Sequence, residues 1–266
     1  MASRFAYDTR YIDCPDTFEI DPVRLGLKDR LRVRGQEIFP INQLTQFGGI
    51  RDAAPDVWGR RAIEAQRRVP VNSLSEADYL LGAGLVEHRL PFVSGLILVA
   101  CDEFESRLKG YRDLAQAVRE HVHPCQIRAN SEELFGRMVF NIFVSNDDDH
   151  LRNHGFVCDP RWPGWSLSLR YDVVPRPGVA FERQLPLQVG TQGKVTTLDN
   201  AMSAYSAFTP QRTIAIIRRI WGELRQWSSA FEDSGASGRL IDQLAPALRD
   251  LDDICSPALQ TEIRKA

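Results

Sequence analysis

Apolar positions between residues 103 and 143 recur at helical spacing, and they organise the rest of the chain around them. Phe104, Leu108, Tyr111, Ala115, Val118 and Val122 fall on one face of a helix, and Gly110 is placed to break that run in two. Asn130 and Glu133 stand at capping-box spacing. They predict the start of a helix that carries Leu134, Met138, Val139, Ile142 and Phe143, a stripe broad enough to be buried. The helical pattern stops at Asn146-Asp147-Asp148-Asp149-His150. HGFVCD and WSLSLRYD follow, on either side of a Pro-Arg-Trp-Pro-Gly turn. Trp165, Leu167, Leu169 and Tyr171 alternate with polar residues, which predicts a hairpin whose second strand buries one face. From about 198 the pattern is helical again. Thr209-Pro210 opens a helix with Ile214, Ile217, Trp221, Leu224 and Trp227 at helical intervals, and a last helix is expected over roughly 237–252.

Upstream the elements are shorter. Residues 1–45 read as short strands and turns, with Phe5 and Tyr7 in alternation and prolines at 15, 22 and 40. Gly48-Gly49 reads as a turn, and a helix is expected from near Pro55. Ser73 and Glu76 have capping-box spacing ahead of a short helix with Tyr79 and Leu80, which Gly82 and Gly84 would end. There is no internal repeat. The pattern is α+β: a small mixed N-terminal part, then a mostly helical part with one hairpin.

Composition narrows the function. The chain has 266 residues, 43% hydrophobic, enough for one large core or two small ones. The 33 basic and 35 acidic residues are spread evenly, so direct nucleic-acid or membrane-surface binding is not expected as the main role. No apolar run approaches the ~20 residues that cross a bilayer, and the N-terminus has no apolar secretion core. Cys14, Cys101, Cys125, Cys158 and Cys255 are scattered and odd in number. They fit free thiols in a reducing cytoplasm, and their spacing does not suit a zinc site.

The acidic loop carries the candidate chemistry. Asn153 follows Asp148 by five residues, and Asp172 follows after a further nineteen, beyond the hairpin. Phosphoryl transfer uses a carboxylate to orient the attacking hydroxyl, an amide oxygen on magnesium, and a second carboxylate on the same metal. Protein kinases supply these as Asp-x4-Asn and then an Asp after a hairpin. The plain alternative is a solvated turn, since Asp and Asn are common in turns. Three consecutive acids fed by a buried helix, with Asp172 beyond the hairpin, weigh against it.

These segments resemble a known family. FGRMVFNIFVSNDDDHLRNHGF and WSLSLRYDVVP are similar to the catalytic core of HipA-like serine/threonine kinases, through Asn141, Asn146, Asp148, His150, Asn153, Tyr171, Asp172 and Pro175. FGGIRDAAPDVWGRR and SEADYLLGAGLVEHR resemble that family's N-terminal subdomain. The resemblance implies a subdomain over 1–89 and a protein-kinase-like C-terminal lobe over 90–266. It implies Asp148 as the catalytic residue and Asn153 and Asp172 as magnesium ligands, with Asn141, Asn146 and His150 positioning the loop. It implies ATP and Mg2+ as cofactors, a protein substrate, and a DNA-binding antitoxin as partner in a toxin–antitoxin pair.

The resemblance departs at one place. Arg89 is followed directly by Leu90-Pro91-Phe92, with no Gly-rich loop between, and none of Lys28, Lys109, Lys194 or Lys265 sits in a strand ahead of the acidic loop. Weak ATP binding and low activity are therefore expected, together with loose docking of the N-terminal part. The alternative is an inactive remnant that binds an antitoxin or a paralogue.

Overall fold

The computed structural model describes residues 4–15, 17, 19–40, 47–52, 57–75, 78–79, 91–102, 104–158, 164–178, 183–204 and 209–265. The N-terminal region is more helical than its sequence pattern predicts. Asp8 accepts a hydrogen bond from Arg10 N and opens α1 (Thr9–Asp13); Asp29 does the same for Arg32 N and opens α2 (Arg30–Val33). Strand-like pairing among the described residues there is the bridge between Phe5 and Ile38. Tyr7, Ile12, Leu25 and Phe47 form a small core.

Gly48-Gly49 is not a turn but the start of α3 (Gly48–Asp52). These glycines serve close approach. A Cβ on Gly48 would lie 2.2 Å from Ile97 Cδ1, and one on Gly49 would lie 2.7 Å from the Ile20 carbonyl. Next comes α4 (Val57–Arg67); Pro55, its expected start, lies outside the described residues. The cap expected at Ser73 and Glu76 is instead made two residues later. Ser75 N donates to Asp78 Oδ2 at 3.0 Å and Asp78 N to Ser75 Oγ at 3.3 Å. Leu80, Gly82, Gly84 and the expected 89/90 boundary lie outside the described residues.

The larger unit begins with β1 (Phe92–Ser94) and α5 (Gly95–Leu98), followed by α6 (Tyr111–His121) and α7 (Ile127–Phe143). The break at Gly110 is present and has a packing reason. Its Cβ would meet the Gln188 carbonyl at 2.4 Å, where Tyr111 N donates at 3.0 Å. Phe104 and Leu108, ahead of the break, are exposed rather than buried. Asn130 is not a cap: α7 starts three residues earlier, and the buried Asn130 Oδ1 accepts from Leu167 N at 2.6 Å and Ser166 Oγ at 3.1 Å.

The hairpin forms from β2 (Gly155–Cys158) and β3 (Trp165–Leu167), antiparallel, with Phe156 opposite Leu167. β1 joins β2 on the other side, giving the order β1-β2-β3 with Val93 opposite Phe156. The buried face of β3 ends early: Trp165 is buried, but Leu169 is 90% exposed. Among the described residues six helices follow: α8 (Leu198–Ala204), α9 (Pro210–Leu224), α10 (Trp227–Asp233), α11 (Gly238–Leu244), α12 (Leu251–Ile254) and α13 (Pro257–Arg264). The single helix expected over 237–252 is divided, because Pro246 sits in a 3-10 turn and Asp250 caps a new start.

One core unites these parts. Leu114 and Val118 of α6, Leu134, Met138 and Ile142 of α7, Phe156 of β2 and Ile217 of α9 are fully or almost fully buried in it. Each such side chain contributes about 1.5–3 kcal/mol by leaving water. The fold is α+β, a mixed N-terminal region on a mostly helical unit. Docking of the N-terminal region is not confined to loose surface contact. Trp165 Nε1 donates to Glu19 Oε1 at 3.1 Å, and Asp52 of α3 is bound at β1.

Candidate functional site

The site is built where α7 ends. Phe143 is its last residue, and Ser145 takes a positive φ of 53°, turning the chain out of the helix. Asn146 N still bonds back to Asn141 O at 3.0 Å, and Ser145 Oγ donates to Ala247 O at 2.8 Å. The loop from 146 to 154 therefore leaves a buried helix end on fixed terms.

A buried polar chain then sets the loop. Asn146 Nδ2 donates to Asn141 Oδ1 at 3.2 Å, Asn141 Nδ2 donates to Tyr111 Oη at 3.2 Å, and Tyr111 Oη donates to Asp149 Oδ2. The other Asp149 oxygen meets His154 Nε2 at 2.9 Å. Asp149 and His154 are both 1% exposed. Burial, then the Asp149 charge and hydrogen bond, push the Tyr111 hydroxyl far above its ordinary value, so it stays a donor. Asn141 and Asn146 thus connect the end of α7 to the buried Asp149 through Tyr111. His150 does not make a ring hydrogen bond among the described residues; its Nδ1 is buried without a partner, and His154 holds the loop instead. Asp149 and Tyr111 are members of this network that the sequence pattern does not single out.

A second network fixes the far side. Glu133 on α7 takes Arg137 Nε at 2.9 Å and Arg170 through two nitrogens at 2.8 and 2.9 Å. Arg137 also donates to the Ser168 carbonyl. Burial opposes ionisation of Glu133, but the two arginines outweigh it and hold the carboxyl below its ordinary value. The segment beyond β3 is held this way up to Asp172, which has a positive φ of 54°. That angle is costly for a non-glycine residue and persists only where its surroundings enforce it.

Asn153 and Asp172 border one small cavity, together with Arg137, Asn141, Asp149 and His154. Its volume is about 10 Å³, room for one water-sized body but not for a nucleotide. Asn153 Nδ2 donates to the Asp148 carbonyl at 2.9 Å, which leaves its Oδ1 unengaged among the described residues. The Asp172 carboxylate also has no partner among them. An amide oxygen and a carboxylate oxygen are hard donors of the kind magnesium takes, and Arg137, whose Nη1 is buried without a partner, borders the same space. No group of three or more His, Cys, Asp or Glu gathers as for a metal ion among the described residues.

Asp148 does not line that cavity. Its half-exposed carboxylate pairs with Arg176 Nη2 at 2.7 Å, and Arg176 Nε lies 3.4 Å from Asp147 Oδ1. Asn153 and Asp172 are thus brought to one place. Asp148 is tied to Asn153 through its backbone while its side chain faces a guanidinium.

The family model of the HipA-like C-terminal domain matches residues 75–228, more than half of the chain. The chain belongs to this family. The matched stretch of this HipA-like domain contains α5, α6, α7, the acidic loop, β1, β2 and β3, and α8 and α9. Among solved structures, the HipA-like chain is similar to HipA of Shewanella oneidensis MR-1, determined in complex with HipB and its operator DNA. Identity is 12% and the TM-score 0.45, covering 68% of this chain and 43% of that one. The HipA-like chain therefore spans less than half the length of that protein. No curated protein matches it.

Proposed function

We propose that the chain carries the catalytic half of a HipA-like serine/threonine kinase site, and that alone it binds nucleotide weakly. In this reading Asn153 Oδ1 and the Asp172 carboxylate hold magnesium, and Asp148 orients the acceptor hydroxyl and takes up its proton. Bound magnesium and ATP would supply the phosphoryl group and neutralise charge on its oxygens. The chain's own residues do the positioning. The Asn146–Asn141–Tyr111–Asp149–His154 chain holds the loop, and Glu133 with Arg137 and Arg170 holds the segment that carries Asp172. The observation that carries the proposal is the shared cavity of Asn153 and Asp172, with Asp148 bonded to Asn153.

The units proposed are 1–89 and 90–266, with a protein hydroxyl as substrate and a DNA-binding antitoxin as partner in the cytoplasm. Two features favour low activity. The sequence has no Gly-rich loop or strand lysine ahead of the acidic loop, and Arg176 occupies the Asp148 carboxylate. Phosphoryl transfer depends on placement and charge neutralisation, so each loss raises the barrier. The Arg176 pair also favours a second reading, an inactive module that binds an antitoxin or a paralogue. Phosphate transfer from labelled ATP to bacterial extract, with and without Asp148→Ala, separates the two. Weak transfer that the substitution abolishes supports the kinase; no transfer by the wild type supports the module.

A further inference from the structure

Arg152 lies between Asp148 and Asn153, in the 3-10 turn Leu151–Asn153, and it is held from both ends. Its Nη1 lies 3.1 Å from Asp52 Oδ1, and its carbonyl accepts the Tyr171 hydroxyl. The second Asp52 oxygen accepts Ser94 N at 2.7 Å. Ser94 pairs with Gly155, the first residue of β2, and Phe92 of the same strand packs its ring against Tyr171, centroids 6.2 Å apart. The Asp52 side chain is only 2% exposed. A buried carboxylate is tolerated when a cation and a donor satisfy it, as they do here. Asp52 is 100 residues from Arg152 in sequence and belongs to α3, in the region that sequence alone leaves loosely docked.

We infer that Asp52 is a positioning residue of this site: α3 carries it into the larger unit, where it holds Arg152 and thereby sets the turn that presents Asn153. The inference rests on Asn153 as a metal-holding residue. Charge separates positioning from plain electrostatics. Removing the negative Asp52 should by itself weaken binding of a cation nearby, and removing the positive Arg152 should by itself strengthen it. A positioning role weakens binding in both.

The test uses the full chain as wild type, Asp52→Asn, Arg152→Gln and, as reference, Asn153→Ala. Manganese binding is followed by electron paramagnetic resonance of free Mn2+, and amide exchange is followed over 146–154 and over α9. Both Asp52→Asn and Arg152→Gln are expected to lose several-fold in Mn2+ affinity. Exchange in 151–154 should accelerate at least about tenfold while α9 is unchanged, a shift corresponding to one factor of ten in local opening. Opposite changes in affinity, or unchanged exchange in the turn, would overturn the inference. If the wild type binds no Mn2+, the metal reading of the site falls. Exchange then decides the positioning of the turn: acceleration in both variants keeps it, and no change ends it.

Discussion

At the scale of single residues, the acidic loop is held by buried polar groups with identified partners. Tyr111 joins Asn141 to Asp149, so Tyr111→Phe leaves two buried polar groups short of a bond. Such a loss costs about 1–3 kcal/mol, and a denaturant melt of the variant should show a lowered midpoint with an unchanged slope. Glu133 gives a pH signature. Its folded value lies below the ordinary one near 4.5, so its contribution to stability is complete above that pH and fades as pH falls through the folded value. Glu133→Gln should therefore lose stability near pH 7 and show a shallower acid decline. Equal differences from wild type at pH 7 and well below pH 4.5 would remove Glu133 from the network. None of these partnerships is legible in the sequence. Asp149 looks like its neighbours Asp147 and Asp148, yet it is 1% exposed, and no periodicity distinguishes a buried acid from a solvated one.

At the scale of elements, apolar periodicity reads well where an element packs on one face through its own residues. α7, α9 and the β2–β3 hairpin are of this kind, and their central residues follow from the sequence while their ends do not: α9 stops at Leu224, and Trp227, expected within it, opens α10. Where a distant segment decides the outcome, the pattern misleads. Asn130 has the spacing of a cap, but its oxygen is used by Leu167 N and Ser166 Oγ of β3. Gly48-Gly49 reads as a turn because the helix contacts that demand glycine, Ile97 and Ile20, are remote in sequence. β1 is only three residues long and pairs with a strand more than 60 residues away, so it has no local signal. Asn130→Ala should loosen β3 from α7. Amide exchange should rise at Leu167 and Ser168 ahead of β2, and uniform exchange across the sheet would show that Asn130 does not hold β3.

At the scale of the whole molecule, the N-terminal region and the larger unit are joined by directed contacts. Glu19 with Trp165, and Asp52 with Arg152 and Ser94, connect them across long stretches of chain. A protease site introduced at Val86–Leu90 should yield two fragments that still co-elute on size exclusion, and that separate when Asp52→Asn and Glu19→Gln are combined. Fragments that part at once in the otherwise wild-type chain would restore the loose arrangement expected from sequence. That Asn153 and Asp172 border one cavity agrees with their order in the sequence. The geometry of Asp148 was not legible: the Asp148–Arg176 pair arises from a loop whose sequence carries no periodic signal. Calorimetric titration with ATP and Mg2+ should accordingly show no micromolar affinity, and a micromolar Kd would mean that another part of the chain supplies the missing phosphate contacts.

The proposed magnesium site of Asn153 and Asp172 is open to a direct measurement: crystals of the protein grown with Mn2+ and a non-hydrolysable ATP analogue, read by manganese anomalous scattering. An anomalous peak is expected within bonding reach of Asn153 Oδ1 and the Asp172 carboxylate. A peak confined to Asp147 and Asp148, or one bonded to neither Asn153 nor Asp172, would contradict that site.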